Sequence, residues 1–339
     1  MLNVKNARYI TAFAKYFDDY SVEYKEIAKD NYQISISTKN TIFELLNFVA
    51  LFANFVAIVN DEDLFIKEEN VVKNLSCINV IDAPYFVRYL FKIRFMKGRK
   101  IFEEYKDSLE KTSRGKYEMT YGDTWEARQE FVESNLDFKH DILDIGCGEG
   151  KYITRFSKQI EKNKLNYFAV DVDETVLALA KKRAENKRVQ NVSFFNSLEE
   201  YKELGKTEKV DIILSEVIEH MEIEDAKKLV KYILENINFN KLIITTPDVR
   251  FNVNYFMGEA LRHDDHKFEF TRDEFRKFIL DAMSVENDNY SSVVFGVGDS
   301  VDGICTTQGV VVVKDFQETG SKALEEVLKY KEELKCQHK

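Results

Sequence analysis

From residue 142 onward the chain repeats one pattern: a short apolar run followed by a longer stretch with helical periodicity. Ile142–Ile145, Tyr167–Val170, Val192–Phe195, Val210–Leu214 and Leu242–Thr245 read as strands. Between them Lys151–Glu161, Glu174–Asn186 and Ile223–Asn236 carry apolar residues at helical spacing. Strands that are apolar throughout must be covered on both faces, and alternation with helices supplies that cover, so a doubly wound, mostly parallel sheet is expected. Ser291–Val297 and Gln308–Val313 read as further strands, with an antiparallel edge.

Before this region the pattern differs. Tyr32–Ser37 alternates as a strand does, Ile42–Val59 reads as a buried helix, and Pro84–Leu109 as one long helix opened by its proline. The change falls at Lys111-Thr112-Ser113-Arg114-Gly115-Lys116. Three parts are therefore expected: an α+β domain over 1–115, the α/β domain over 116–317, and a charged helical tail over 318–339. The run Thr41–Val59 raises the membrane question, but Glu44, Asn47 and Asn54 interrupt it, and no membrane partner is expected. Met1–Lys15 has no apolar leader region, which points to a cytoplasmic chain. Cys77, Cys147, Cys305 and Cys336 are too dispersed for a zinc finger or a disulfide scaffold. A formal net charge of −10 argues against a generally basic surface for nucleic acid, though not against a local basic channel.

The first strand of the α/β region runs into Asp144-Ile145-Gly146-Cys147-Gly148-Glu149-Gly150. Glycines at this turn let backbone N–H groups approach a nucleoside, and Asp171, at the end of the next strand, is placed to accept both ribose hydroxyls. Carboxylates in and before the loop repel a pyrophosphate and suit a cationic ligand. Ser197, after the third strand, either approaches the adenine or caps the following helix. The loop resembles the Asp-x-Gly-x-Gly loop of class I S-adenosylmethionine-dependent methyltransferases, which implies S-adenosylmethionine as cofactor and a Rossmann-like fold.

Glu216-Val217-Ile218-Glu219-His220 follows the fourth strand, and Arg262-His263-Asp264-Asp265-His266-Lys267-Phe268-Glu269-Phe270-Thr271-Arg272 comes after the fifth. If the chain turns into helix at 216, spacings of three and four put Glu216, Glu219 and His220 on one face. Two carboxylates and an imidazole suit Mg²⁺ or Mn²⁺, and His266 could complete the set. A solvated helix face and a polar loop are the plainer alternatives.

In these motifs the chain resembles the small-RNA 3′-terminal ribose 2′-O-methyltransferases, the HEN methyltransferase family. Its Glu-x-x-Glu-His element is matched by Glu216, Glu219 and His220, and its Arg-His-x-Asp-His-x-Phe-Glu-Trp-Thr-Arg element by residues 262–272. A Thr-Pro-Asn-x-Glu-Tyr-Asn element is matched with three departures: Asp248 for asparagine, Arg250 for glutamate and Phe251 for tyrosine. The resemblance covers about residues 120–313. It implies a divalent metal (Mg²⁺ or Mn²⁺) on Glu216, Glu219, His220 and His266, the cofactor on Asp144, Gly146, Gly148, Asp171 and Ser197, and catalytic roles among His220, His263 and His266. The implied reaction is metal-dependent methyl transfer to the 2′-hydroxyl of an RNA 3′-end, with an RNA repair ligase or kinase as an open partner question. The alternatives are a class I methyltransferase for a small metabolite or another RNA position, and a catalytically silent RNA-binding component.

Two further features have double readings. Arg88, Lys92, Arg94, Lys97, Arg99 and Lys100 interleave with Tyr85, Phe86, Tyr89, Phe91 and Phe95, which fits RNA stacking or an amphipathic helix with buried aromatics. Trp125 and Arg128 fit ligand contact, or core packing and a surface ion pair.

Overall fold

The computed structural model describes residues 2–62, 68–258, 260–284 and 290–314. It comprises two units. The first is Met1–Asp123 with Arg250–Ala260 and Asp299–Ile304; the second is Thr124–Val249 with Leu261–Gly298 and Cys305–Lys339.

In the first unit, β1 (Leu2–Asn3), β2 (Tyr20–Ala28) and β3 (Asn31–Thr38) form an antiparallel sheet in the order β1-β3-β2. The helix Ile42–Val59 starts at a Thr41–Glu44 capping box, which satisfies backbone donors that would otherwise be orphaned. It buries only one face, Phe48, Leu51, Phe52, Phe55 and Val56, while Ile42, Phe43, Leu46 and Val49 are exposed. It is long and apolar enough to cross a membrane by length and composition, and a third of it is buried. The long helix expected over 84–109 is two, Tyr85–Phe95 and Arg99–Glu110. The chain leaves helical geometry at Met96 (φ −106°, ψ 56°), and Gly98, a poor helix former, opens the second helix in extended conformation.

Within this unit two of the three basic residues of Tyr85–Phe95 and four of its five aromatics are structural. Tyr85, Phe86, Phe91 and Phe95 are buried, and so are Arg88 and Lys92. Arg88 donates to the carbonyls of Ala83 (2.7 Å) and Leu109 (2.8 Å) and to Asn79 (3.0 Å). Lys92 donates to Asp299 (2.7 Å) and to the Thr120 carbonyl (2.9 Å). Buried charges persist only when paired in this way. The return segment 250–260 belongs here because of its aromatics: Phe251 packs edge-on against Tyr85 (4.9 Å) and Phe256 against Phe86 (5.0 Å). This explains one departure from the family motif, since Phe251 is a core residue. The compact units meet at 123/124, and the chain crosses between them four more times, returning to the first unit through 250–260 and 299–304. The expected tail 318–339 lies outside the described residues.

The second unit carries the expected strands: β5 (Asp141–Ile145), β6 (Tyr167–Val170), β7 (Val192–Phe195), β8 (Val210–Ser215), β9 (Phe239–Pro247), β10 (Tyr290–Val301) and β11 (Ile304–Lys314). Its sheet order is β10-β11-β9-β8-β5-β6-β7, while the two-residue β4 (Tyr117–Glu118) pairs with Ser300–Val301 within the first unit. β7, β6, β5, β8 and β9 are parallel, and β11 is antiparallel to β9, with Ile244 opposite Val310. One face is covered by the helices Ile223–Asn236 and Arg272–Met283, through Val230, Ile233, Phe275 and Ile279. The other is covered by Thr124–Asn135 and Glu174–Lys187, through Phe131, Val132, Leu177 and Ala180. In β8, Ile212 and Leu214 face one layer and Ile213 the other, all fully buried, each contributing about 1.5–3 kcal/mol. The strand order reverses between β6 and β8 around β5, the position where ligands bind beyond the carboxyl ends of an open α/β sheet.

Candidate active site

At the end of β5 the loop folds back onto β6. The N–H groups of Gly146 and Cys147 both donate to the Val170 carbonyl (2.8 and 3.0 Å). Gly146 has φ 72°, and a Cβ there would lie 2.4 Å from Val217 Cγ2, so only glycine fits. Nothing lies within 4 Å of the Cβ position at Gly148, so the loop presents open backbone there. Asp171 accepts from Gly148 N–H (2.8 Å) and Asp173 N–H (3.0 Å), which fixes its carboxylate at the mouth of the loop.

Asp144 differs from expectation. It is fully buried beneath the loop rather than facing a cationic ligand, and accepts a 2.5 Å hydrogen bond from the Tyr167 hydroxyl. Burial pushes its carboxyl up to about 7; Tyr167 opposes the shift and Asp171 adds to it. Ser197 caps the helix Leu198–Lys202, accepting from Glu200 N–H (3.2 Å), the second of its two readings. Glu149 pairs with Arg183 at the surface (2.8 Å).

Beyond β8 the chain makes a turn instead of the α-helix considered above. Glu216 adopts a left-handed conformation (φ 55°), and Ile218–His220 is a single 3₁₀ turn. This geometry separates the expected ligands. Glu216 turns to Arg128 (3.0 Å) and accepts from the Thr245 hydroxyl (3.1 Å), while Glu219, His220 and His266 offer ligand atoms all within 4.8 Å of one another. Arg128 is thus an ion-pair partner, with its guanidinium 5.4 Å from the centre of the Trp125 ring.

The segment 262–269 is tied to this turn: Lys267 N–H donates to the Glu219 carbonyl (2.7 Å). Glu219 is completely buried; its Oε2 accepts from the Thr246 hydroxyl (3.1 Å), and its Oε1 has no hydrogen-bond partner among the described residues. Burial first, then the Glu216 charge, holds its carboxyl well above the usual range. A fully buried carboxylate oxygen without a partner is costly unless a cation neutralises it. His266 is buried and bonded through Nδ1 to Glu269 (2.6 Å), leaving Nε2 for a ligand, the carboxylate-histidine arrangement that orients metal-binding imidazoles. His220 is half-exposed, with Nδ1 3.1 Å from Asp265, and burial lowers its pKa. The residues therefore fit a divalent ion. His263 stands outside the ligand group, its ring 5.1 Å from that of His266.

Asp265 and Glu269, which orient the two imidazoles, were not singled out from sequence. Both lie within the 262–272 motif, and their spacing from His266 is the signal that could have found them.

Residues 1–114 match the Hen1 N-terminal domain model, and residues 142–238 a methyltransferase domain model. The chain is similar to a small RNA 2′-O-methyltransferase of Tetrahymena thermophila (28% identity, covering 57% of this chain and 51% of the relative). It is likewise similar to one of Xenopus tropicalis (28% identity, 63% of this chain and 60% of the relative). The chain thus spans between half and two thirds of the length of these curated relatives. A chain of the solved Pnkp1/Rnl/Hen1 RNA repair complex superposes with a TM-score of 0.75 at 32% identity, covering 89% of this chain and 68% of that one. Sheet order, glycine loop and Asp171 together define a fold of the class I S-adenosylmethionine-dependent methyltransferases. Within that class, the chain belongs to the Hen1 family.

Proposed function

We propose that this chain transfers the methyl group of S-adenosylmethionine to the 2′-hydroxyl of the 3′-terminal nucleotide of RNA, in a metal-dependent reaction. The observation that carries the reading is the unpartnered, fully buried Glu219 Oε1 between His220 and His266. That cluster follows β8, the strand hydrogen-bonded beside β5, so it shares the sheet end with the donor loop.

Asp171 holds the donor ribose, and the open backbone at Gly148 receives the nucleoside. Asp144 and Tyr167 stay beneath, bracing the loop. Glu219, His220 and His266 would hold Mg²⁺ or Mn²⁺, which would supply Lewis acidity to lower the pKa of a terminal ribose hydroxyl. Glu269 fixes the His266 tautomer and Asp265 fixes the His220 ring. Arg128 holds Glu216 beside this set, and Glu216 contributes negative charge there. His263, outside the ligand group, takes the hydroxyl proton, because His220 and His266 offer their nitrogens to the ion. By extension from the repair complex that contains the similar chain, an RNA repair kinase and ligase are the proposed partners.

The test is methyl transfer from labelled donor to a small-RNA panel with Mn²⁺, followed by mapping of the label. The expected product carries the label on the terminal 2′-oxygen; label on a base, on an internal ribose or only on small metabolites would overturn the reading.

A further inference from the structure

A second group of ligand-type residues lies at the opposite end of the same strands. Asp137 and His140 sit in the loop joining the helix Thr124–Asn135 to β5, and Asp211 is the second residue of β8, in register with Ile142. One ligand atom from each lies within 4.8 Å of the others. Asp211 is fully buried. Its Oδ1 accepts from Asn240 (2.8 Å), and among the described residues its Oδ2 has no hydrogen-bond partner; His140 Nδ1 is buried and likewise without one.

The neighbouring cations give Asp211 Oδ2 no hydrogen bond among the described residues, although the Lys241 charge acts on both Asp211 and Asp137. Lys241 stands opposite Asp211 on β9 but donates to the Asn135 carbonyl (3.0 Å), and Lys139 pairs with Asp137 (3.4 Å). His140 Nδ1 is 3.9 Å from Asp137, beyond hydrogen-bond reach. From Asp211 to the β8 end at Ser215 is about 13 Å at strand rise, so this group is separate from Glu219, His220 and His266.

We propose that Asp137, His140 and Asp211 form a second divalent-cation site, structural in role, which clamps the entry of β5 to the entry of β8. Two carboxylates and an imidazole are a mixed oxygen and nitrogen set suited to Mn²⁺ or Zn²⁺. The half-exposed His140 and Asp137 give the ion a way in, and the ion neutralises the orphaned carboxylate of Asp211.

The experiment counts ions on the full chain after the first cluster has been removed. In a Glu219→Gln/His266→Gln background, titration with Mn²⁺ and with Zn²⁺ by calorimetry should still show one site, and saturating metal should raise Tm by on the order of 5 °C. Adding Asp211→Asn, which removes a buried charge and keeps the shape, should abolish that site and that rise. Adding His140→Gln, at a half-exposed loop position, should weaken it at least 10-fold. Absence of any remaining site in the background, or a site that survives both additions unchanged, would overturn the proposal. Because the background lacks the first cluster, neither result depends on whether the methyl-transfer reading holds.

Discussion

Asp171 and Asp144 show how two carboxylates a few residues from the same loop do opposite work. Asp171 accepts from two backbone N–H groups, and in the proposed role as ribose acceptor Asp171→Ala should weaken S-adenosylmethionine binding by about 2 kcal/mol, roughly 30-fold. Calorimetric titration checks this; unchanged affinity contradicts it. Asp144 is buried with its carboxyl raised from its ordinary value of 3.8 to about 7. Between those values the folded chain holds a proton that the unfolded chain has released. Its contribution to stability is therefore complete below pH 3.8 and is lost as pH rises through about 7, by at most about 4 kcal/mol. Asp144→Asn should flatten this part of the stability curve, measured by urea unfolding from pH 4 to 8. A slope as steep as that of the parent chain would show that Asp144 is not the group responsible. The position of Asp171 was legible from strand spacing alone. The burial of Asp144 was not, because its partner Tyr167 lies 23 residues away on the neighbouring strand and nothing local marks the pair.

At the scale of elements, the helix Tyr85–Phe95 shows where composition misleads. Its basic and aromatic interleaving fits an RNA-binding face, yet Lys92 is buried against Asp299, 207 residues away, and Arg88 against three carbonyl or amide oxygens. Only the tertiary pairing separates a brace from a binding face. Lys92→Ala should cost about 3–5 kcal/mol by leaving Asp299 charged and buried, and Lys92→Met with Asp299→Leu should recover most of it. Chemical denaturation of the single and double variants decides the point; a single variant within about 1 kcal/mol of the parent would contradict the brace. The turn 216–220 carries the same lesson. Its five residues pointed to ligands, but the left-handed Glu216 and the 3₁₀ turn were not predictable from spacing, and they direct Glu216 to Arg128. The regular strands were legible because a strand buried on both faces is apolar throughout, as β6 and β9 are in burial if not wholly in residue type.

Over the whole molecule, the alternation after residue 142 specified the doubly wound sheet, while the segments 250–260 and 299–304, which rejoin the first unit, left no compositional mark. Their assignment rests on Phe251, Phe256 and Asp299, contacts made across long stretches of sequence. The central claim is that Glu219, His220 and His266 would hold a divalent ion that engages the two hydroxyls of a terminal ribose. The most direct measurement is the initial rate of methyl transfer, with Mn²⁺, to two RNAs identical except at the 3′-end: one with a free 2′,3′-diol, one with 3′-deoxyribose. The account predicts a rate at least about 100-fold lower for the 3′-deoxy RNA, from loss of half the chelate and of the orientation it gives. It also predicts no transfer to either RNA in excess chelator. Equal rates on the two RNAs, or full activity in chelator, would contradict it.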